Sequence, residues 1–290
     1  MVEFIKICLK WKKQIAIICA FAAVASITIS LLMPEYYESR VIFYPSNPSL
    51  SDRQYLFGEQ SGELLVSYFG AGDDLDRVMT IAKSATIVNY LIDTFNLMEH
   101  YGIKMDDKYP LTKVRNEFED NYKVIKNEYD AVELTVLDTS SELASKIANE
   151  SARKVDESIK EIIKQNKARI IEVFQDNLAT KEQQLKKLTD SINALVPGSI
   201  RPETISLLFQ KQETVAEELN TLSSLHEKYV ASYNANFPTI YIFERAYPAE
   251  KKKYPVRWLI VVGSVIATLF LSVIFVLLLE KYREIKPQLA

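Results

Sequence analysis

The stretch from Thr139 to Leu195 contains neither Gly nor Pro. Apolar residues recur through it at helical spacing: Leu143, Ile147, Val155, Ile159, Ile162, Ile170, Phe174, Leu178, Leu185, Leu188, Ile192 and Leu195. Lys, Glu, Gln, Asp and Asn fill the positions between them. That pattern predicts one long amphipathic helix. At ~1.5 Å per residue it would measure roughly 80 Å, several times the length of an ordinary globular helix. Thr139, with Glu142 three residues on, fits a capping box at its start. Val196-Pro197-Gly198 ends it, because Pro lacks a donor and Gly permits the turn.

Past that turn, Pro202 is placed to open a second helix in its first turn. Its Ile205, Leu208, Gln212, Val215, Leu219, Leu222, Leu225 and Tyr229 are spaced three and four apart. Leu185, Leu188, Ile192 and Leu195 on the first arm have the same spacing. Two such stripes flanking a tight turn at Pro197 and Gly198 predict an antiparallel hairpin. Its expected seam is Leu185, Leu188, Ile192 and Leu195 against Ile205, Leu208, Val215, Leu219 and Leu222. The alternative is that each stripe packs on a neighbouring copy of the chain; the short connection favours the hairpin.

Two uncharged runs lie near the ends of the chain. Ile15 to Met33 would span roughly 28 Å as a helix and Trp258 to Leu279 roughly 33 Å, each enough to cross a bilayer. Lys6, Lys10, Lys12 and Lys13 precede the first run, and no lysine follows it closely. That asymmetry places the N-terminus in the cytoplasm. The run is too long for a signal-peptide core, and Ala20-Phe21-Ala22 lies inside it rather than after it. Two crossings return the chain to its starting side, so both termini are expected in the cytoplasm with the middle outside. Lys251, Lys252, Lys253 and Arg257, just outside the second run, oppose this orientation. Long translocated segments obey the positive-inside rule weakly, and the topology is kept.

Between the runs, Tyr36 to Tyr44 alternates as a strand and stops at Pro45. Ser46 to Gln60 is polar and turn-rich, a loop. Asp73 to Leu97 reads as helical with a new N-cap at Ser84. Pro110 opens a shorter helix. Val124 to Glu128 and Ala131 to Leu137 read as strands, and Thr239 to Ala246 as a last strand. The expected divisions are a tail at 1–14, a span at 15–33, a membrane-proximal α/β part at 34–138 and the hairpin at 139–236. A last strand and a Pro-framed connector at 237–257, a span at 258–279 and a tail at 280–290 complete them. The fold class is therefore an α+β membrane protein. Two transmembrane helices flank a domain with a membrane-proximal mixed sheet and a long antiparallel helical hairpin.

Composition narrows the function. A formal net charge of -3 argues against a nucleic-acid binder. Only seven glycines are present, and no GxxxxGK[ST] run occurs. The two cysteines, Cys8 and Cys19, leave the long middle without a disulfide framework. His100 and His226 have no clustered ligands beside them, so no metal site is expected. No catalytic constellation stands out, and neither catalysis nor a cofactor is expected. Lys160, Lys164, Lys167 and Arg169 would suit a passage for an acidic glycan or a solvated helix face. The solvated face is the ordinary case on long helices, and no sugar site is assigned.

Three features carry a family resemblance. The first is a basic tail and span leading into Pro34-Glu35-Tyr36-Tyr37-Glu38-Ser39 and a strand. The second is a strand, then Asp138, then a helix with Ala144, Ile147, Ala148 and Asn149. The third is Ala246-Tyr247-Pro248 through Tyr254-Pro255, running into the second span. In this order the chain resembles the polysaccharide co-polymerases, the Wzz-like chain length determinants. No Pro follows Asp138 where many members have one, and the segment from Pro248 to Pro255 is unusually basic.

The resemblance implies a bacterial inner-membrane protein with a periplasmic domain that assembles into a homo-oligomeric ring. It would act with a polysaccharide polymerase on a lipid-linked polysaccharide, setting the length of O-antigen, capsule or exopolysaccharide without chemistry of its own. Pro248 and Pro255 would be the proline motif before the second span. Some relatives carry a cytoplasmic tyrosine kinase domain, and none is expected here. Two other functions share the same features: a transmembrane adaptor for a separate tyrosine kinase, and a capsule-export partner of a transporter.

Overall fold

The computed structural model describes residues 9–47, 69–70, 72–194, 202–235 and 237–285. The chain divides into two compact units, one of Met1–Ser39, Val136–Lys146 and Tyr247–Ala290, the other of Arg40–Thr135 and Ile147–Ala246.

In the first unit, helix α1 (Lys12–Leu32) and the chain's last helix, α8 (Arg257–Ile285), pack against each other. Both are long and apolar enough to cross a membrane. Their outer faces are strongly exposed, as at Phe21, Leu32, Ile266 and Phe270, which suits a lipid solvent. Small residues, Ser26, Ser30 and Ser272, are buried, and small side chains let helix backbones approach closely in a membrane. At the far end Trp11 Nε1 donates to Glu280 Oε2 at 3.3 Å, and Lys10 pairs with the same carboxylate. Helix α8 therefore runs past the uncharged stretch, through Glu280 and Lys281.

The second unit holds β2, β4 and most of β1 and β3 from a four-stranded sheet in the order β2-β3-β1-β4. The strands of this sheet are β1 (Tyr37–Pro45), β2 (Tyr122–Lys126), β3 (Val132–Asp138) and β4 (Ile240–Glu244). Each falls within one or two residues of its expected bounds. Strands β1 and β4 are antiparallel, with Phe43 opposite Ile242 and Pro45 opposite Ile240; the register slips between Ile42 and Phe43. Val41 and Phe43 from β1 and Val132 and Leu134 from β3 point to one side and are buried, the period-2 pattern of a sheet with one covered face.

Helices α2 (Gly72–Ala82), α3 (Ala85–Thr94), α4 (Leu97–His100) and α5 (Pro110–Asn121) supply part of the cover. The expected break at Ser84 is present: its hydroxyl accepts from Ile87 N at 3.4 Å and caps α3. Phe118 and Tyr122 stack at 5.1 Å, and the buried Tyr122 hydroxyl donates to the Ala82 carbonyl at 3.0 Å. Burying a Phe of this kind contributes about 2–3 kcal/mol.

The long helix is α6 (Ser141–Asn193). Its cap differs from expectation. Ser140, not Thr139, accepts from Leu143 N at 3.3 Å, while Asp138 Oδ1 takes the Ser140 N–H at 2.8 Å. Asp138 ends β3 and holds its successors in a turn, which moves the capping position one residue on. From Ile147 onward α6 belongs to the second unit, where Ile147, Ala148, Ala152 and Val155 are fully buried. Helix α7 (Pro202–Asn234) begins at the proline assigned to its first turn.

Candidate functional site

Two regions carry the residues that the sequence singles out. In the first unit, the strand leaving α1 and the connector entering α8 lie side by side. Tyr36 N donates to the Tyr254 carbonyl at 2.9 Å, and Lys253 N to the Tyr36 carbonyl at 2.7 Å. Ser39 Oγ donates to the Tyr247 carbonyl at 2.9 Å. Pro255 is buried and Pro248 exposed, and the Tyr254–Pro255 peptide is cis.

Charges reinforce this pairing. Glu35 Oε1 accepts from Lys252 Nζ at 2.6 Å and from Arg257 Nη2 at 2.8 Å, and Glu38 accepts from Lys253 Nζ at 3.0 Å. The Lys252 hydrogen bond is the main reason the Glu35 carboxyl titrates below its ordinary range, with the charges of Lys252 and Arg257 adding to it. These pairs give three of the four cations of the basic segment a carboxylate partner. Lys252, Lys253 and Arg257 answer the carboxylates of the segment that leaves α1.

The second region is the helix pair α6/α7, within the second unit. Lys167 Nζ donates to Ser232 Oγ at 2.6 Å, the Phe174 and Tyr229 rings lie 5.2 Å apart, Lys181 pairs with Glu218, and Gln212 Nε2 donates to Thr189 Oγ1 at 2.8 Å. Each pair straddles position 200 almost symmetrically, the signature of two antiparallel arms. Leu185, Leu188 and Ile192 are half-buried, as are Ile205, Leu208, Leu219 and Leu222; Val215 is buried. Leu195 and the turn residues Pro197 and Gly198 lie outside the described residues.

Polar anchors not foreseen from the sequence hold α6 to β4 and its flanks. Asn149 Nδ2 donates to the Ala246 carbonyl at 2.8 Å, and Ala246 N donates to Asn149 Oδ1 at 3.0 Å. Asp156 Oδ1 accepts from Thr239 N at 2.9 Å and from Thr239 Oγ1 at 2.7 Å, and Lys160 Nζ donates to Asp156 Oδ2 at 2.6 Å. Burial would raise the Asp156 carboxyl, but the bonds from Lys160 and Thr239 outweigh it and hold it below its ordinary range. Asn149 and Asp156 are seven apart, as are Lys160 and Lys167. That heptad spacing on the helix facing β4 and α7 is the signal by which they could have been found.

Lys160, Lys164 and Lys167 line one pocket of about 70 Å³ together with Ser232, Tyr233, Thr239 and Tyr241. Arg169 does not line it and is exposed. No group of three or more metal-ligating side chains occurs among the described residues.

A scan against protein-family models matches none of them, and no curated protein matches the sequence. Solved structures do match. A full-length bacterial polysaccharide co-polymerase is 12% identical, with 98% of each chain covered and a TM-score of 0.48. The chain is similar to polysaccharide co-polymerases. A fragment of WzzB, the co-polymerase from Salmonella Typhimurium, is 11% identical over 76% of this chain and 100% of its own, at a TM-score of 0.38. The wild-type Shigella flexneri lipopolysaccharide O-antigen chain-length regulator is 10% identical over 75% and 100%, also at 0.38.

Proposed function

We propose that this protein regulates the chain length of a bacterial surface polysaccharide, as a non-catalytic oligomeric scaffold in the inner membrane acting with a polymerase. The observation that carries this reading is the clamp between the two membrane-entering segments, Tyr36 on Tyr254 and Glu35 on Lys252 and Arg257. It coincides with the segments on which the sequence resembles the co-polymerases, including the proline motif at Pro248 and Pro255. Both termini lie in the cytoplasm and the segment between the spans in the periplasm. The charge pairing supports this orientation, because it gives carboxylate partners to Lys252, Lys253 and Arg257, three of the four cations that argued for the inverse.

The helices suit assembly of copies. Ile162, Ile170 and Val173 on α6, and Leu207 and Phe209 on α7, are exposed. Apolar side chains left exposed along long helices are natural contacts for further copies of the same chain. The proposed divisions follow the sequence: the hairpin at 139–236 between the membrane-proximal part at 34–138 and the connector at 237–257. A deletion strain tests the function: it should still make polymer, but of unregulated length. Unchanged lengths with lost phosphorylation of a partner kinase would establish the adaptor function instead.

A further inference from the structure

The end of the connector is turned inside out for a segment in water. Tyr254, Val256 and Trp258 are 48%, 38% and 66% exposed. The residues between them turn inward: Pro255 is buried, and Arg257 is half-buried with its Nη2 donating to Glu35 Oε1 at 2.8 Å. The stretch hides its cation and shows its apolar side chains. Water favours the opposite arrangement, since a charge gains from hydration and apolar surface loses by it. A single exposed apolar side chain is ordinary on a soluble surface. Three at alternate positions, around an arginine neutralised from inside, make a directed face.

That face is continuous with the membrane-crossing surface of the first unit. Arg257 opens α8, whose Leu259, Val262 and Ile266 are exposed in turn. Met33, directly after α1, is exposed as well. The Tyr36–Tyr254 and Lys253–Tyr36 backbone bonds hold the connector to the segment that leaves α1. Tyr254 stands three positions before α8, at most about 11 Å of chain. The headgroup layer is roughly 5–8 Å deep on each side of a bilayer, and a tyrosine side chain covers the difference. Tyr and Trp gain most at such a boundary, with the ring in apolar surroundings and the polar tip wet. The Tyr254 hydroxyl makes no bond among the described residues, which leaves it free for headgroups and water.

We propose that Tyr254, Val256 and Trp258 seat the end of the connector in the headgroup layer, and that the partner of this face is the lipid surface. Pro255 and the Glu35–Arg257 pair are thereby fixed at the membrane boundary, behind a lipid-facing rim. The proposal rests on the membrane placement of α1 and α8 and not on length control.

The test uses the full-length chain in lipid nanodiscs and reads tryptophan fluorescence. Trp11 and Trp258 are the two tryptophans, so Trp11→Phe leaves Trp258 as a native reporter. Tyr254→Trp and Val256→Trp, each combined with Trp11→Phe and Trp258→Phe, report on the other two positions. The probes are phosphatidylcholine brominated near the top of its acyl chains, the same lipid brominated near the chain ends, and acrylamide in the water. All three reporters should be quenched at least about twofold by the top-brominated lipid, and less by the end-brominated one, as interfacial side chains are. Acrylamide should quench each of them less than it quenches N-acetyltryptophanamide in buffer. A reporter at position 254 or 256 that ignores both lipids and quenches like the free compound lies in water. One that ignores both lipids yet resists acrylamide is covered by protein. One quenched more by the end-brominated lipid lies in the hydrocarbon core. Each of these results overturns the proposal. Water-like reporters at 254 and 256 beside a lipid-quenched Trp258 sink the connector face alone, whereas a water-like Trp258 removes the membrane placement on which it rests.

Discussion

Asn149 holds Ala246 from both sides, its amide nitrogen on the carbonyl and its amide oxygen on the N–H. A side-chain amide that closes such a pair satisfies the backbone just beyond β4 as another strand would, and fixes α6 against it. Asn149→Ala would leave the donor and acceptor of a residue only 8% exposed unpaired. We expect a loss of about 1–3 kcal/mol, read as lower resistance of the purified protein to thermal unfolding. Asn149→Asp, which keeps the acceptor but not the donor, should fall between the two.

Asp156 makes the junction with Thr239 sensitive to acid. Its folded-state carboxyl titrates below the ordinary value, so the stability it contributes is present above the unfolded value of about 3.9 and is lost as pH falls through the lower folded value. Protection of the Thr239 amide from hydrogen exchange should therefore decline below about pH 4. In Asp156→Asn it should be weaker at neutral pH and change little with acid. Identical profiles for the two proteins would contradict the assignment.

Burial grades the residues of the proposed hairpin seam. Val215 is 7% exposed and Leu188 half-buried, while Lys187 is exposed. Val215→Asp should cost about 3 kcal/mol or more and Leu188→Asp about 1–3, with Lys187→Gln near zero. Limited proteolysis of the α6 and α7 arms would rank the three proteins, and equal rates would argue against a packed seam.

These contacts show what was legible in the sequence and what was not. Ser84, Pro110 and Pro202 start helices because local chemistry, a side-chain cap or a missing N–H, decides such starts. The choice of Ser140 over Thr139 as cap was hidden, because it depends on where β3 ends at Asp138. The proposed seam positions rest on spacing alone. Ala246 for Asn149, Thr239 for Asp156 and Ser232 for Lys167 do not follow from it, since each sits more than sixty positions away in the chain. The lysines before α8 look like a topological anomaly until Glu35 and Glu38 stand beside them.

Glu35 serves two cations and Glu38 one, which gives a selective test of the clamp. Glu35→Gln should raise the reactivity of Lys252 toward a membrane-impermeant acylating reagent roughly two- to fivefold, the range expected on losing an exposed ion pair. Lys253 should respond instead to Glu38→Gln. Mass spectrometry reads both lysines in one digest, and a uniform response of the two to either change would deny the pairing.

In the proposed function the connector bears most directly on length control, because Pro248 and Pro255 each restrict their own backbone and that of the residue before them. The decisive measurement is a gel of surface polysaccharide from three strains: wild type, a deletion, and one carrying Pro248→Ala with Pro255→Ala at normal protein level. We predict a defined length distribution in the first, polymer of unregulated length in the second, and a shifted or broadened distribution in the third. A deletion strain with the wild-type distribution would contradict the proposed function outright.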